Sequence, residues 1–539
     1  MKPYRMRMVE KSYKKFTSDY SFTDETYVIV GSGIGGLSTA VFLAKAGKKV
    51  VILEQHYTPG GFTHTFKRRN GFTWDVGVHY VGNMARDSQL RKIFNYLSDK
   101  ELEWDALGDP YDVAYINGKK FEFVSGRENF RQKFHSYFPK DTIAIDDYLD
   151  LLDRSSKSNL LFFVQKVFPF VLRNTVGHIF RKLHKKWSQK TTYDILSSLT
   201  NNQELIAVLC AQCGNYGLSP KKSSFAAHAI VINHFMEGGY YPRGGANRIH
   251  ETISKHLKTL GVDILINAKV NKIITAGTSV RGLVINDKEF TCKRVISNTG
   301  IHTTFLHLLD QKVLQKKHQI LKSLKPSTSH LCLYIGLDKS DEYLQLPRHN
   351  IWWYAHKDTD EILNDKESLS KDQLSFAYIS FPSAKDSTWG SKQQHRATIQ
   401  LISNARYENF EIFENEPWLN RGEEYDQIKE NFKKKGIALL KELYPQLENH
   451  IVHAEVSTPV TTRTFSNYKK GEIYGLSHTP ERFNTHVLRP KTHIKGLYLT
   501  GQDITLVGLC GAMSSGILTA STIIKWDMSK QFKTIMTNY

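Results

Sequence analysis

The sequence predicts an α/β fold in which one domain is assembled from three separated chain segments and a mixed-sheet domain is interleaved between them. Three observations predict it. Val28 to Gln55, VIVGSGIGGLSTAVFLAKAGKKVVILEQ, is an apolar strand, a cluster of glycines, a helix-compatible run and a second apolar strand ending beside an acid. In the middle, GGYYPRGGANRIHETISKHLKTLGVDILINAKVNKII leads from glycines into a helix and then into short β-branched strands. Near the C-terminus, GLYLTGQDITLVGLCGAMSSGILTASTIIKW returns to strand, glycine loop and small-residue helix.

The 539 residues exceed the roughly 250 to 300 at which a single core stops growing, so several units are expected. Residues 1–26 read as a basic N-terminal arm. The first segment of the assembled domain is 27–85. Residues 86–235 read mostly as helical periodicity, with a basic segment over 160–190. The second segment, 236–300, holds a helix near 247–260 and strands at 262–266, 269–274, 280–285 and 294–297. Residues 301–495 form the interleaved domain, with strands in SHLCLYIGLD and LSFAYISFPS. A helix near 423–443 there puts Tyr425, Ile428, Phe432 and Leu439 on one face. The third segment is 496–528, and 529–539 is a C-terminal tail. In the aromatic run Ile351 to Tyr354, sheet core is the favoured reading and a tunnel wall the alternative.

Gly31, Gly33 and Gly36 stand in G-x-G-x-x-G spacing, with Ser32, Ile34 and Gly35 between them. The first glycine permits a tight turn, the second lets backbone approach a pyrophosphate, and the third lets helix pack on strand. The N–H groups at the helix start then point at the phosphates. Glu54 lies 18 residues past Gly36, where an acid accepts from a ribose hydroxyl, and Gln55 follows it. This is a Rossmann-type dinucleotide site. Gly60, Gly61 and Phe62 form a loop after the second strand; Gly501 and Asp503 follow the C-terminal strand, with Gly511 and Ala512 beyond. A molecule contacted from both ends of the chain is long, so FAD fits better than NAD. No second G-x-G-x-x-G occurs, so electrons come from a separate donor or from an NAD(P)H that binds transiently.

Other chemistries have no support. There is no H-E-x-x-H, no G-x-S-x-G and no tight Cys/His ligand cluster, so no metal site is expected. The five cysteines are too few and scattered for a disulfide framework, and Cys210 and Cys213 read as packed thiols at a helix end. The net charge of +20 raises nucleic acid or an anionic membrane as partners. From Lys166 to Lys190 there are seven Lys or Arg and no acid, directly after LLFFVQKVFPFVL, and no recognition module surrounds them. That pattern fits a membrane surface or a solvated basic helix better than nucleic acid. No window is long and apolar enough to span a bilayer, and no apolar run follows the N-terminal charges. A cytoplasmic, peripherally membrane-associated protein is expected.

Those segments, together with SSFAAHAIVINHF, GGYYPRGG, GGFTHTF, DVGVHYVG and GEIYGL, resemble the phytoene desaturase and carotenoid isomerase flavoproteins, and most of all their retinol saturase branch. The likeness runs from about 27 to 525; the loop GGFTHTF stands where that branch carries a cysteine pair. The resemblance implies an FAD oxidoreductase acting on a conjugated isoprenoid at a membrane, with Gly31, Gly33, Gly36, Glu54, Gly61 and Asp503 on the flavin. It implies hydride transfer from flavin N5 to a polyene double bond. Cis-trans isomerisation or desaturation are the alternatives, and a non-catalytic prenyl-lipid carrier is a remoter one. Proton-donor candidates within the resembling blocks are His64, His79, Tyr80, His228, Tyr240 and Tyr241. Each has a plainer reading as flavin contact, pocket wall or hydrogen-bonded core.

Overall fold

The computed structural model describes residues 11–365, 367, 369–393 and 395–539; the first ten residues of the expected arm lie outside that set. Tyr27–Val30 and Val50–Leu53 are four-residue apolar strands buried at every position, as strands covered on both faces of a parallel sheet must be. They sit at the centre of a six-stranded sheet in the order Lys14–Lys15, Asp263–Ile266, Val50–Leu53, Tyr27–Val30, Arg294–Ser297, Leu497–Leu499. Every neighbouring pair is parallel. All strands therefore end at one edge, where a doubly wound sheet binds its ligand.

The two ends of the chain are locked together behind that edge. Helix Ile34–Lys45 packs along helix Gly508–Ile524 through small residues. A Cβ on Gly516 would lie 2.7 Å from the Gly35 carbonyl oxygen and 2.7 Å from Ser38 Cβ, closer than side chains pack, so glycine is needed for this approach. The Ser38 hydroxyl donates to Met513 O at 3.1 Å across the same seam.

A second sheet has seven strands in the order Ile451–Ser457, Ser329–Leu337, Ala397–Ala405, Phe376–Ser380, Asn350–Tyr354, Asp112–Ile116, Lys119–Phe123. All pairs are antiparallel except Asn350–Tyr354 with Asp112–Ile116. Strand periodicity divides it into two faces. Leu333, Leu401, Ile379 and Ile351 face a core closed by helix Glu423–Leu443, which buries Tyr425, Phe432 and Leu439. Cys332, Ile402, Tyr378 and Trp352 stand in a row across the other face, toward the first domain. The run Ile351 to Tyr354 is thus divided by alternation: Ile351 is core and Trp352 lines the cavity described below.

Two expectations need correction and a third needs an addition. Residues 86–235 are mostly helical, but they also carry Asp112–Ile116 and Lys119–Phe123, an unexpected hairpin on the edge of the second sheet. Its turn is Asn117-Gly118 with φ of 51° and 76°, the pairing that a two-residue hairpin loop favours. The arm contributes the edge strand Lys14–Lys15, held by Leu265 and Ile266. The C-terminal residues are not a loose tail but part of helix Asp527–Asn538; Gln531 accepts from Tyr96 Oη at 2.8 Å and donates to Phe42 O at 3.0 Å.

Over 142–188 the chain is helical: Thr142–Val164, Phe170–Asn174 and Val176–Ser188. Among the described residues no helix is long and apolar enough to cross a membrane. Lys166 departs from a solvated basic face, because its buried ammonium donates to Ile504 O at 2.5 Å. His184 is buried too and stacks on Phe162 at 3.9 Å.

Candidate functional site

A single cavity of about 1630 Å³ runs from the glycine edge of the parallel sheet to the inner face of the second sheet. It exceeds the roughly 300 to 1,000 Å³ of a site for one ordinary small ligand, leaving room for a long cofactor and a second molecule. Gly31, Gly33, Ile34, Gly35, Glu54, Gln55, Gly60, Gly61, Phe62, Gly501, Asp503, Gly511 and Ala512 all line it. Ser32 and Gly36 do not, and their work is structural. The Ser32 N–H and hydroxyl both donate to Glu54 Oε2, at 2.9 and 2.6 Å, and the Ser32 hydroxyl accepts from Gly60 N at 3.0 Å. Gly36 lies where any Cβ would overlap the Gly31 carbonyl oxygen.

The geometry suits a dinucleotide. Helix Ile34–Lys45 begins at Gly33 with no side-chain cap and no acid in its first turn, so its leading N–H groups are free for a phosphate. Glu54 accepts from Ser32 and, through Oε1, from His56 N at 2.9 Å. A carboxylate accepts about four hydrogen bonds, so capacity remains for a ribose hydroxyl. Asp503 first ties the segments together: Oδ2 accepts from Ile301 N and Oδ1 from Leu476 N, both at 2.8 Å. Gly475 in GEIYGL has φ +61°, and a Cβ there would overlap Asp503 Oδ1. Arg482 donates to the carbonyls of Leu476, Gln502, Asp503 and Thr505 and so holds the TGQD loop in shape.

Of the expected proton donors, the structure brings His64, His79 and Tyr80 to the cavity and leaves the others outside. His64 places Nδ1 against Gly61 O, and burial holds its imidazole below the usual range. Tyr80 donates to Asp112 Oδ2 at 2.8 Å and accepts from Asn215 Nδ2 at 2.9 Å. His228 is instead a core histidine, wedged between the hydroxyls of Tyr148 at 2.8 Å and Tyr216 at 3.1 Å, with burial pushing it down to about 3. Tyr241 donates to the buried carboxylate of Asp75 at 2.5 Å, and Tyr240 pairs with Val81 and Ala106 in a small sheet. An amphipathic position satisfied by internal partners cannot be told from a catalytic one by residue type, which is why these three were candidates.

Behind the wall sits a charged network. Asp112, fully buried, accepts from Tyr80, Gln212, Asn350 and Trp352 at 2.6 to 3.0 Å, yet burial outweighs these donors and raises it to about 6. Lys385 donates to His79 O at 3.0 Å, Ser380 Oγ at 2.7 Å and Asn350 Oδ1; burial lowers it to about 7. The two side chains are joined through Asn350, and they hold the His79-Tyr80 backbone against the cavity.

Sequence reading missed Asn298, His330 and Tyr378. Asn298 follows the strand Arg294–Ser297, and its amide donates to Gly31 O and Gly33 O at 3.3 Å. Its place just past a parallel strand was the available signal. His330 and Tyr378 are polar residues at inward positions of the apolar strands Ser329–Leu337 and Phe376–Ser380, visible only once the inward face is known. All five cysteines are free, and the Cys210 and Cys213 thiols are buried, with Cys213 pushed up to about 12. Among the described residues no group of three or more metal-ligating side chains occurs.

Comparison with known proteins gives a consistent picture. Residues 34–524 match the model of the flavin containing amine oxidoreductases. An all-trans-retinol 13,14-reductase of Danio rerio is 36% identical over 526 residues, covering 93% of this chain and 86% of that one. A second Danio rerio relative, 29% identical over 95% of this chain and 87% of its own, is described as an inactive all-trans-retinol 13,14-reductase. A chloroplastic prolycopene isomerase of Daucus carota is 26% identical over 92% of this chain and 79% of its own. The fold is also that of putrescine oxidase bound to putrescine, with a TM-score of 0.62 at 13% identity, covering 94% of this chain and all of that one.

Proposed function

The chain belongs to the flavin containing amine oxidoreductase family, in the branch of the all-trans-retinol 13,14-reductases, and from that premise we propose that it reduces one double bond of a long conjugated isoprenoid, using FAD. The observation that carries the reading is the continuity of one cavity from the dinucleotide edge to an aromatic and apolar floor that includes Tyr378, Trp352 and Ile402. When bound, FAD would supply hydride-transfer chemistry for one carbon of the double bond, the proton for its neighbour coming from solvent or a polar side chain of the wall. Gly31, Gly33, Glu54, Gly61 and Asp503 would hold the cofactor. The protein's own part is to lay the polyene along the floor, keep water out and present polar side chains at one point of the wall. Reducing equivalents come from a separate donor or from a transient NAD(P)H.

The test is anaerobic. With the flavin reduced and an all-trans polyene added, polyene absorbance is expected to bleach and the product to gain two hydrogens. A shifted spectrum at unchanged mass would assign cis-trans isomerisation instead, and a loss of two hydrogens desaturation. A purified protein that stays colourless and takes up no FAD would return the lipid-carrier reading.

The surface supports delivery of that substrate from an anionic membrane. Phe170 and Val171 are each 70% exposed, and Leu160, Leu172, Ile179 and Leu183 are also exposed. Leu160, Phe163 and Val164 of the same region line the cavity as well. Beside them Arg173, Arg181, Lys185 and Arg489 crowd His486, and burial together with the neighbouring arginines brings Arg489 down to about 10. Cations gathered without an acid favour an anionic headgroup, at about 1 kcal/mol for each Lys or Arg near the surface. In sedimentation with phosphatidylserine-containing vesicles, replacing Phe170, Val171 and Ile179 by glutamate is expected to weaken binding at least tenfold. Neutral vesicles should bind weakly; equal binding of variant and parent would remove this surface as the contact.

A further inference from the structure

The cavity wall holds a buried cation for which the protein supplies no counter-charge. Arg421 lines the cavity and is only 8% exposed, yet among the described residues it forms no ion pair. Of its five N–H donors, one reaches Thr464 Oγ1 at 3.0 Å and one the Tyr425 hydroxyl at a long 3.5 Å, while Nε is buried with no partner. Arg68, Arg406, Lys429 and Lys470 line the same cavity, and each has a carboxylate at 2.7 to 3.8 Å. A buried charge is costly unless it is paired, so a guanidinium left this way on a cavity wall marks a place for an anion from outside the chain.

The place of Arg421 in the fold indicates what carries that anion. Strand register sets Ser457, Cys332, Ile402, Tyr378 and Trp352 side by side across the sheet face that floors the cavity. Four steps between neighbouring strands span roughly 19 Å, which suits a long chain. Strand Ile451–Ser457 runs on into helix Pro459–Ser466, whose Thr464 holds the guanidinium, so the cation stands at the Ser457 edge of this floor. The planar fork of an arginine matches the paired oxygens of a carboxylate. One unpaired cation balances the single charge of a carboxylate but only half that of a phosphate dianion. A long apolar body with a carboxylate at one end therefore fits both features, whereas an alcohol or a hydrocarbon leaves the charge unpaired.

We propose that Arg421 binds a carboxylate at the end of the polyene, so that the protein takes an isoprenoid acid in preference to a neutral alcohol, ester or hydrocarbon. The proposal rests on the reading of the cavity as an isoprenoid site. A ligand without the charge leaves the guanidinium buried and unpaired, so discrimination is larger than an apolar slot alone achieves.

The experiment uses the FAD-loaded protein at about pH 8, where a carboxylic acid is ionised, and follows the flavin absorbance change on titration with an all-trans C20 polyene acid and with its methyl ester. The parent is expected to bind the acid at least tenfold more tightly. Arg421→Gln should lower acid affinity at least tenfold while leaving the ester affinity and the flavin spectrum unchanged, and Arg421→Lys, which keeps the charge, should recover part of the loss. Equal affinity for acid and ester in the parent would overturn the subsite and leave the polyene reading standing, with water against the guanidinium. Equal loss of both ligands in Arg421→Gln would also overturn it, as a packing effect. NADPH binding more tightly than NADH in the parent but not in Arg421→Gln, with acid and ester alike, would overturn it by giving the anion to the electron donor. If the parent binds neither acid nor ester, the polyene reading itself is overturned.

Discussion

Gly33→Ala is expected to give a folded protein that no longer holds FAD, and Gly36→Ala one that no longer folds stably, although both glycines belong to the same short motif. At Gly33 the backbone has φ −60° and ψ 165°, open to any residue. The only neighbour of an added Cβ within 4 Å is the Asn298 side-chain amide at 3.1 Å, a contact relieved by a shift of a few tenths of an ångström. The methyl would instead occupy the face on which a pyrophosphate approaches the helix start. Flavin affinity should fall on the order of 100-fold, about 2.7 kcal/mol, with little change in the melting temperature of the flavin-free protein. At Gly36 the added carbon overlaps the Gly31 carbonyl and lies 3.2 Å from Ile29 Cγ2, both parts of the central strand and its turn. Backbone cannot rotate out of the way as a side chain can, so destabilisation of about 3 kcal/mol or more follows. Flavin-to-protein ratios and thermal melts of both variants check this. A Gly33→Ala protein carrying stoichiometric flavin would mean that the phosphates lie elsewhere.

What could be read in advance follows from how local each signal is. The unit from Val28 to Glu54 was legible because strand, turn and helix are contiguous and each glycine answers a nearby contact. Helix Glu423–Leu443 was legible through its apolar period, and its buried face is the expected one apart from Ile428, which is only partly covered. The hairpin at Asn117-Gly118 was missed although its turn dipeptide is a strong signal, because the helical periodicity of its neighbours was extended across it. The cavity floor was not legible: Trp352, Tyr378 and Ile402 become neighbours only when strands far apart in sequence pair in register. For the same reason His228 and Tyr241 could not be separated from His79 and Tyr80. All four are polar residues in apolar surroundings, and only the folded structure tells which of them reach the cavity.

Acidification is expected to unfold the protein steeply between about pH 6 and pH 4. Burial holds His79, His184 and His228 at about 3, and His234, His250 and His330 at about 4. In the unfolded chain each returns to about 6.5. These are bases with depressed folded values, so their contribution is complete above pH 6.5 and is lost as pH falls toward the folded values, because only the unfolded chain takes up the protons. Each proton bound only by the unfolded chain lowers stability by about 1.4 kcal/mol per pH unit. Three carboxyls act in the opposite sense: burial raises Asp75 and Asp112 to about 6 and Glu472 to about 7, so the folded protein holds protons that the unfolded chain takes up only near pH 4. These six imidazoles, joined by His56 and His349, which burial also lowers to about 4, outweigh the three carboxyls by at least three protons, or about 4 kcal/mol per pH unit. Over two pH units this removes about 8 kcal/mol, against a net stability of about 5 to 15 kcal/mol. Denaturant unfolding at pH 7, 6 and 5 measures the slope. His228→Gln should make it shallower by about one proton whatever it does to stability at pH 7, since the imidazole between Tyr148 and Tyr216 is then gone. A stability profile flat down to pH 4.5 would show that these imidazoles are reached by water, and the dry cavity wall to which His79 and His330 belong would lose its support.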